Sequence, residues 1–283
     1  MHLAQAYDMH PAPAIDLATF ARDGYLVLRR CIEPQRIAAM RAALAAEVDT
    51  VLSELHAAGK LADTRPDLPF ERRLAIAGEH AASYGRGWTQ RMAVPATFEL
   101  HRDPALLAAL HQLLGPVVHG HKQFNVRPKL PGQDLTNVPW HQDTGYYGAQ
   151  TARDLIMTAW VPLVEVDARN GCMQVVPGSH RLGAIPHVDA QDAGGFLRLD
   201  TTVDEAAAVT LAMSPGDVLL MHNLVFHRST ENRSDGIRWS IDLRFWRPDT
   251  PSAGDLLWGF PRPWTLSGAE PVPLTEWMGW YGR

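Results

Sequence analysis

The stretch Trp140-His141-Gln142-Asp143-Thr144 decides how the rest of the chain is interpreted. His141 and Asp143 are separated by one residue, so both side chains point to the same face if the segment is extended. An imidazole and a carboxylate that converge in this way can hold a metal ion. A lone His-x-Asp arises easily by chance, so a predicted metal site needs further ligands elsewhere in the chain.

A second histidine is available far downstream, in the segment from Met221 to Asn232. Two histidines and one carboxylate form the facial triad of non-haem Fe(II) oxygenases, which leaves coordination positions open for a cosubstrate and oxygen. The segment offers two candidates, His222 and His227. In one continuous extended strand these two side chains would face opposite sides, so they are alternatives at this point.

Arg238-Trp239-Ser240 lies after the second histidine segment, in a run from Ile237 to Trp246 that is rich in β-branched and aromatic residues. Such a run predicts a strand. Arg238 and Ser240 then share one face and can bind a carboxylate, the arginine through two parallel hydrogen bonds. The alternative is a surface salt bridge on an edge strand, which the apolar neighbours of Arg238 disfavour.

Taken together, these motifs resemble the phytanoyl-CoA dioxygenase family of Fe(II)/2-oxoglutarate oxygenases. The resemblance also includes an upstream segment, from Phe20 to Leu28, that is similar to the family's opening helix and strand. It covers Leu17 to Trp246, and the order and spacing of the motifs are more specific than any one of them. The motifs are His141-x-Asp143, Pro177-Gly178-Ser179-His180, His227-x-Ser229-x-x-Asn232 and Arg238-x-Ser240.

The resemblance implies Fe(II) as the metal, 2-oxoglutarate as the cosubstrate and O2 as the oxidant. It assigns His141, Asp143 and His227 as iron ligands and catalytic residues, and it favours His227 over His222 because Ser229, Asn232 and Arg238 follow His227 in the family's register. Further residues are predicted around these ligands. Cosubstrate contacts are expected at Arg238, Ser240, Ser229, Asn125, Gln123 and Thr158.

The predicted substrate contacts are three aromatic residues near the ligand motif, Tyr146, Tyr147 and Trp160. They either line an aromatic-walled pocket or are ordinary core residues. Thr158 is similarly ambiguous, because a threonine in a strand is more often structural. His180 and His222 are predicted to be structural or pocket histidines.

The implied activity is hydroxylation of an unactivated C–H bond in a small-molecule metabolite or natural-product intermediate, with release of succinate and CO2. Asp143 disfavours halogenation, because halogenases on this scaffold lack the carboxylate. Desaturation, cyclisation and epimerisation from the same iron site remain alternatives. Two other classes are a non-redox cupin-type metal enzyme and a binding protein; in the cupin-type enzyme Arg238 and Ser240 would have no carboxylate to bind.

Composition restricts the other possibilities. The chain has 283 residues, 46% of them hydrophobic, and a net charge of −5 without a basic block, which is typical of a globular protein and not of a nucleic-acid-binding surface. The two cysteines have no metal-ligand spacing and are expected to be reduced. No apolar run is long enough for a membrane span, and the N-terminus does not resemble a signal peptide. We expect a cytoplasmic protein with a small-molecule substrate, no nucleic-acid or membrane partner, and a monomeric or homodimeric state.

Helix signals are concentrated in the first part of the chain. Asp16 and Gly24 bracket a short helix, Pro34 begins a longer one that ends near Ala58, and Asp103-Pro104 begins another that ends at Leu114. From Val117 onward, short β-rich runs alternate with turn residues. This change predicts a β-sandwich or barrel with a helical layer.

We therefore predict one oxygenase domain, residues 1–283, of mainly β structure with a helical buttress and a double-stranded β-helix core of the jelly-roll or cupin-like type. Residues 14–116 form the helical layer, and 117–247 form the jelly roll, with a long loop at about 178–208 that the resemblance implies is a lid. Residues 248–283 form a tail rich in Trp and Pro. The tryptophans predict that the tail packs on the barrel or forms a dimer contact.

Overall fold

The computed structural model describes residues 13–78, 80–81, 88–122, 124–190, 195–252, 259–268 and 270–282. Within these ranges the first part of the chain is helical, as predicted. The helices are α1 Leu17–Asp23, α2 Pro34–Ala57, α3 Phe70–Arg73, α4 Trp88–Arg91, α5 Pro95–His101, α6 Pro104–Leu114, α7 Thr144–Tyr147 and α8 Leu274–Gly279.

The predicted helix ends have local causes. The Asp16 side chain accepts a hydrogen bond from the Thr19 backbone N–H and begins α1, and Gly24 ends it at φ 79°, a conformation that glycine adopts without strain. Asp103 begins α6 by accepting from the N–H groups of Ala105 and Leu106. The helix α2 presents an apolar face to the core at helical spacing, formed by Ile37, Met40, Leu44, Val48, Val51, Leu52 and Leu55.

Twelve strands lie within the described residues. They are β1 Tyr25–Leu28, β2 His119–Gly120, β3 Asn125–Lys129, β4 Met157–Pro162, β5 Met173–Val176, β6 His187–Ala190, β7 Phe196–Leu199, β8 Val209–Leu211, β9 Val218–His222, β10 Phe226–Ser229, β11 Arg238–Trp246 and β12 Trp264–Thr265.

The strands form two facing sheets and a hairpin. The larger sheet has the antiparallel order β1-β9-β4-β11-β2-β12, with β3 also paired to β11. The smaller sheet has the order β10-β5-β8, and β6 pairs with β7. A bridge between His141 and His227, and a hydrogen bond from Leu199 N to Trp140 O, extend the smaller sheet from β10 towards β7. This arrangement is the predicted jelly roll.

Strand β11 explains how the fold separates its core from its cavity. Alternate side chains of a strand point to opposite faces. Trp239 packs on Phe70 and Trp88 of the helical layer, at ring-centroid distances of 5.5 Å in both cases. The opposite face of β11 lines a cavity between the two sheets. The lining residues from this strand are Arg238, Asp242 and Arg244.

The C-terminal tail contributes to the same core. Trp264 and Trp277 are fully buried, with ring centroids 5.1 Å apart, and both contact Phe98 of α5. Trp280 packs against Phe260 with the two rings tilted. Trp258 lies outside the described residues.

Three local features of the structure refine the sequence analysis. The β-rich region that begins at Val117 opens with two separate short strands, β2 and β3. The predicted lid loop at 178–208 contains the hairpin of β6 and β7 and two 3-10 turns. The run around His222 and His227 is not one strand, because β9 ends at His222 and β10 begins at Phe226 in the other sheet. None of the described helices combines the length and the apolar character that a membrane crossing requires.

Candidate active site

His141, Asp143 and His227 converge between the two sheets. His141 and His227 are directly paired through two backbone hydrogen bonds, with N to O distances of 3.0 and 3.1 Å. Asp143 Oδ1 lies 4.0 Å from His141 Nε2 and 3.9 Å from His227 Nε2. The three potential ligand atoms lie within 4.8 Å of one another, so they can coordinate a single ion.

The convergence of His141 and Asp143 has a different local cause from the predicted one. Only His141 is paired as a strand residue; Asp143 has helical dihedral angles, φ −59° and ψ −32°, and begins α7. The segment is therefore not extended through Asp143, and the convergence of the two side chains comes from this turn. Gln142 points away and stabilises this turn, since its buried amide donates to the carbonyls of Gly183 and Leu224, both at 2.8 Å.

Both imidazoles are oriented for metal binding. His141 Nδ1 lies 2.8 Å from the Pro139 carbonyl, and His227 Nδ1 lies 3.0 Å from the Val225 carbonyl. A carbonyl only accepts hydrogen bonds, so each Nδ1 carries the proton and each Nε2 presents its lone pair to the centre. Burial, reinforced by His227, lowers the pKa of His141 well below its usual value, which keeps that ring neutral. The donor set therefore fits a divalent metal.

Asp143 is held in its ionised form by two neighbours. Arg244 Nη2 donates to Asp143 Oδ1 at 3.2 Å, and the Thr158 hydroxyl donates to Oδ2. Burial raises the pKa of Asp143, but its neighbours, Arg244 foremost and with the Thr158 hydroxyl contributing, outweigh burial and hold the pKa well below the usual value. Thr158, predicted as a cosubstrate contact, is thus placed on the metal-ligand carboxylate.

A buried charged network that was not predicted supports Arg244. Asp242 accepts from Arg127 Nε at 2.8 Å and from Arg244 Nη1 at 2.7 Å. Asp242 and Arg244 lie on the same face of β11 as Arg238 and Ser240. The alternation that predicted Arg238 and Ser240 as a pair would have identified these two residues as well.

Arg238 lies in the same cavity and is 3% exposed. Its Nη1 donates to Ser240 Oγ at 2.5 Å, its Nε donates to the Gly171 carbonyl at 3.0 Å, and its guanidinium lies 5.3 Å from the Trp160 ring centroid. None of the ion pairs among the described residues includes Arg238. Burial, followed by the charge of Arg127, lowers its pKa to about 10. A buried guanidinium without an acidic partner is costly, so this position fits an anionic ligand.

The cavity has an inner and an outer chamber that share Arg127, Val138, His141, Asp143 and Arg244. Trp160, Ser229 and Arg238 line the inner chamber. The outer chamber has a volume of about 260 Å³ and is lined by Asn125, Tyr146, Tyr147, Gly195 and Phe196.

The predicted site residues divide between these chambers. Of the aromatic residues predicted to contact substrate, Tyr146 and Tyr147 border the outer chamber, whereas Trp160 lies beside Arg238. Gln123 lies outside the described residues. His180 and His222 line neither chamber; their rings lie 5.3 Å apart, and His180 contacts the Ala21 carbonyl of α1.

Comparison with protein families agrees with this geometry. Residues 20–240 match the family described as phytanoyl-CoA dioxygenase (PhyH), a span that contains all of the motifs above. The chain belongs to the phytanoyl-CoA dioxygenase family. It is accordingly a member of the Fe(II)/2-oxoglutarate-dependent dioxygenases, and the resemblance inferred from the sequence is confirmed.

Individual relatives of the family align over part of the chain. The human peroxisomal phytanoyl-CoA dioxygenase is 30% identical over 147 residues, 50% of this chain and 43% of that protein. The 1-deoxypentalenic acid 11-beta-hydroxylase of Streptomyces arenae is 30% identical over 160 residues, 52% of this chain and 55% of the hydroxylase. The chain thus spans about half the length of these two relatives.

A solved structure supports the fold. The non-haem monooxygenase ThoJ, in its apo form, superposes with a TM-score of 0.62 and 24% sequence identity, over 89% of this chain and 84% of ThoJ. This likeness establishes the jelly-roll architecture.

Proposed function

We propose that this protein hydroxylates an unactivated C–H bond of a small-molecule metabolite or natural-product intermediate and converts 2-oxoglutarate to succinate and CO2. The observation that carries the proposal is Arg238, a buried guanidinium without an acidic partner among the described residues, in the same chamber as His141, Asp143 and His227. A metal triad and a carboxylate receptor are the two parts that this reaction requires.

His141, Asp143 and His227 would hold the metal. The chemistry that Fe(II) supplies when bound is the activation of O2 against a C–H bond. The carbonyls of Pro139 and Val225 fix the two imidazole tautomers by accepting their Nδ1 protons. The protein would thus hold the metal through three preorganised ligands, the number that leaves coordination positions open in a facial-triad site.

The inner chamber would bind 2-oxoglutarate. Arg238 would form an ion pair with the carboxylate farther from the metal, and the hydroxyls of Ser240 and Ser229 would donate to the same group. Trp160 stacks on the guanidinium and restricts its orientation. Asn125 opens onto the outer chamber, so we assign it to the boundary between cosubstrate and substrate.

The outer chamber would bind the substrate. Tyr146, Tyr147 and Phe196 give it aromatic walls, and the hairpin of β6 and β7 supplies Phe196 from the predicted lid region. The similarity to a hydroxylase named for 1-deoxypentalenic acid supports a small organic substrate and a role in secondary metabolism.

We further propose that the protein acts in the cytoplasm as a monomer or homodimer, as one domain of residues 1–283, without nucleic-acid or membrane partners.

The alternatives account less well for these residues. A non-redox cupin-type enzyme or a binding protein would use the metal ligands but would leave Arg238 without an anion. Desaturation, cyclisation and epimerisation use the same residues, and product analysis distinguishes them from hydroxylation.

The proposal is tested by following the conversion of 2-oxoglutarate to succinate during a substrate screen, with wild type and Arg238→Met. We expect the variant to raise the KM for 2-oxoglutarate by about tenfold or more, because a charged hydrogen bond contributes roughly 1.5–3 kcal/mol. Raised 2-oxoglutarate should restore much of kcat. Arg247→Met, which removes an exposed arginine three positions after Arg244, is the control. Unchanged kinetics in Arg238→Met would contradict the assignment.

A further inference from the structure

Lys129, the last residue of β3, is a buried lysine beside the proposed cosubstrate chamber. It is 1% exposed and lies opposite Arg238 in the register of β3 and β11. Gly171 makes room for it, because a Cβ at this glycine would lie 2.4 Å from Lys129 Cδ. Within the described ranges, no carboxylate forms an ion pair with Lys129. A buried lysine in such surroundings requires an explanation.

In its protonated form, Lys129 has three neutral acceptors for its ammonium group. Lys129 Nζ donates to the Thr136 carbonyl at 2.9 Å, to Asn137 Oδ1 at 2.7 Å and to Ser229 Oγ at 3.0 Å. These three bonds use all the protons of an ammonium. Lys129 therefore holds the segment before the His-x-Asp motif against β10, and it fixes Ser229.

The contact with Ser229 determines the direction of the serine hydroxyl. Ser229 Oγ also accepts from the Val138 backbone N–H at 3.3 Å. A hydroxyl has two acceptor positions and one proton, so with both acceptor positions occupied Ser229 can only donate. Ser229 lines the inner chamber together with Arg238, and an anion there would be the acceptor.

We propose that Lys129 is a positioning residue for 2-oxoglutarate: its ammonium directs the Ser229 hydroxyl proton towards the carboxylate that Arg238 binds. The inference rests on the proposed function, since it concerns the same cosubstrate. Lys129 acts through Ser229 and through its charge.

The electrostatics of Lys129 agree with this role. Burial, followed by the charges of Arg238 and Arg127, lowers its pKa to about 6, while Glu231 and Asp134 act in the opposite direction. A carboxylate bound in the chamber would offset the charges of the two arginines. The pKa of Lys129 would then rise, and the ammonium form would be favoured. Binding of 2-oxoglutarate near pH 7.5 should therefore be accompanied by proton uptake.

The test is calorimetric binding of two keto acids to the Mn(II)-loaded protein. One is 2-oxoglutarate, and the other is 2-oxobutanoate, which has the metal-chelating end but lacks the second carboxylate. We expect Lys129→Met to weaken binding of 2-oxoglutarate about tenfold and to change binding of 2-oxobutanoate less than about twofold. Ser229→Ala should show the same selectivity, and the double variant should lose little more than the larger single loss.

Lys122→Met is the matched control, because it removes a lysine that does not line either chamber. Lys122 Nζ lies over the Phe260 ring, at 5.0 Å from its centroid. Proton uptake is measured from the binding enthalpy in buffers of different ionisation enthalpy; we expect it in wild type and not in Lys129→Met. This readout does not depend on turnover, and the selectivity for 2-oxoglutarate over 2-oxobutanoate distinguishes a positioning lysine from a purely structural one.

The outcomes are distinguishable. If wild type binds 2-oxoglutarate but Lys129→Met binds it equally well, or loses both keto acids equally, Lys129 does not have the proposed role. If wild type does not bind 2-oxoglutarate, the proposed function itself is wrong. Should Lys129→Met not fold, an unselective loss in Ser229→Ala together with no proton uptake in wild type would still overturn the inference.

Discussion

Arg244 Nη2 lies 3.2 Å from Asp143 Oδ1, the oxygen that is also nearest to the Nε2 atoms of both histidines. The guanidinium therefore places a positive charge beside the carboxylate oxygen that would bind the metal. Because Arg244 also donates to Asp242, which is paired with Arg127, the carboxylate ligand is part of a buried network. The site is preorganised before any metal binds.

Replacing Arg244 by Met should destabilise the metal-free protein by about 3–5 kcal/mol, because Asp143 would keep its buried charge and lose its cation. Saturating Mn(II) should compensate part of this loss, so the metal-induced rise in Tm should be larger in Arg244→Met than in wild type. Thermal unfolding with and without Mn(II) measures both effects, and Arg247→Met is the exposed control. Equal metal-induced shifts in the two proteins would show that Arg244 does not support Asp143 in this way.

Thr158→Val removes the hydroxyl that donates to Asp143 Oδ2 and keeps the shape of the side chain. Residues that orient a metal ligand typically affect metal affinity by about 10–100-fold. We expect Thr158→Val to weaken Mn(II) binding roughly tenfold and Thr158→Ser to retain it. Competition with a chromophoric chelator gives the affinities. Wild-type affinity in the valine variant would argue that Thr158 instead serves the cosubstrate, as first predicted.

His101 should make stability depend on pH in the acid range. Its ring is fully buried, with Nδ1 2.8 Å from the Thr97 carbonyl, and burial lowers its pKa from 6.5 to about 3. Since the folded-state pKa is the lower one, the contribution of the neutral ring is complete above about pH 6.5 and is lost progressively as the pH falls towards 3. The slope is about 1.4 kcal/mol per pH unit, or roughly 2 kcal/mol between pH 6.5 and 5.

This dependence is measured by urea unfolding of metal-free protein between pH 5 and 8. His101→Leu should reduce the slope of unfolding free energy against pH by about 1.4 kcal/mol per unit on the acid side. His56→Gln, at an exposed position of α2, is the control. An unchanged slope in His101→Leu would mean that the ring is not held neutral.

Trp277 tests whether the tail is part of the single proposed domain. Its side chain is fully buried against Phe98 and Trp264. Trp277→Ala should lower the free energy of unfolding by about 3–5 kcal/mol while unfolding remains one transition, and Trp280→Ala, at a half-buried position, should lower it less. A negligible effect of Trp277→Ala on urea unfolding would indicate that the tail is energetically independent.

Features with local causes were predictable from the sequence. The capping residues Asp16 and Asp103, and the prolines that begin α2 and α6, define α1, α2 and α6 within a few residues. Strand β11 was predicted as Ile237 to Trp246 because β-branched and aromatic residues dominate it, and the structure begins it one residue later.

Features with non-local causes were not predictable. The break between β9 and β10 depends on Asn223, whose side chain accepts from the Ile156 N–H and donates to the Thr151 carbonyl. Both partners are distant in the chain. The hairpin of β6 and β7 lacks strong alternation, so it was predicted as a loop.

The candidate site was predictable where motif spacing carries the information. His141, Asp143, His227 and Arg238 were assigned from the order of the motifs, and the structure brings them into one cavity. Lys129 was missed because it lies between Pro128 and Leu130 and shows no pattern that would indicate burial of its charge. Its significance depends on its position opposite Arg238 in the sheet.

The most direct test of the account is an anaerobic visible absorption spectrum of the protein with Fe(II), recorded before and after 2-oxoglutarate is added. The account predicts a charge-transfer band that appears only when both are present and that is absent in Asp143→Ala. If wild type is folded and binds Fe(II) but gives no band, 2-oxoglutarate does not chelate the metal held by His141, Asp143 and His227, and the proposed oxygenase activity is contradicted.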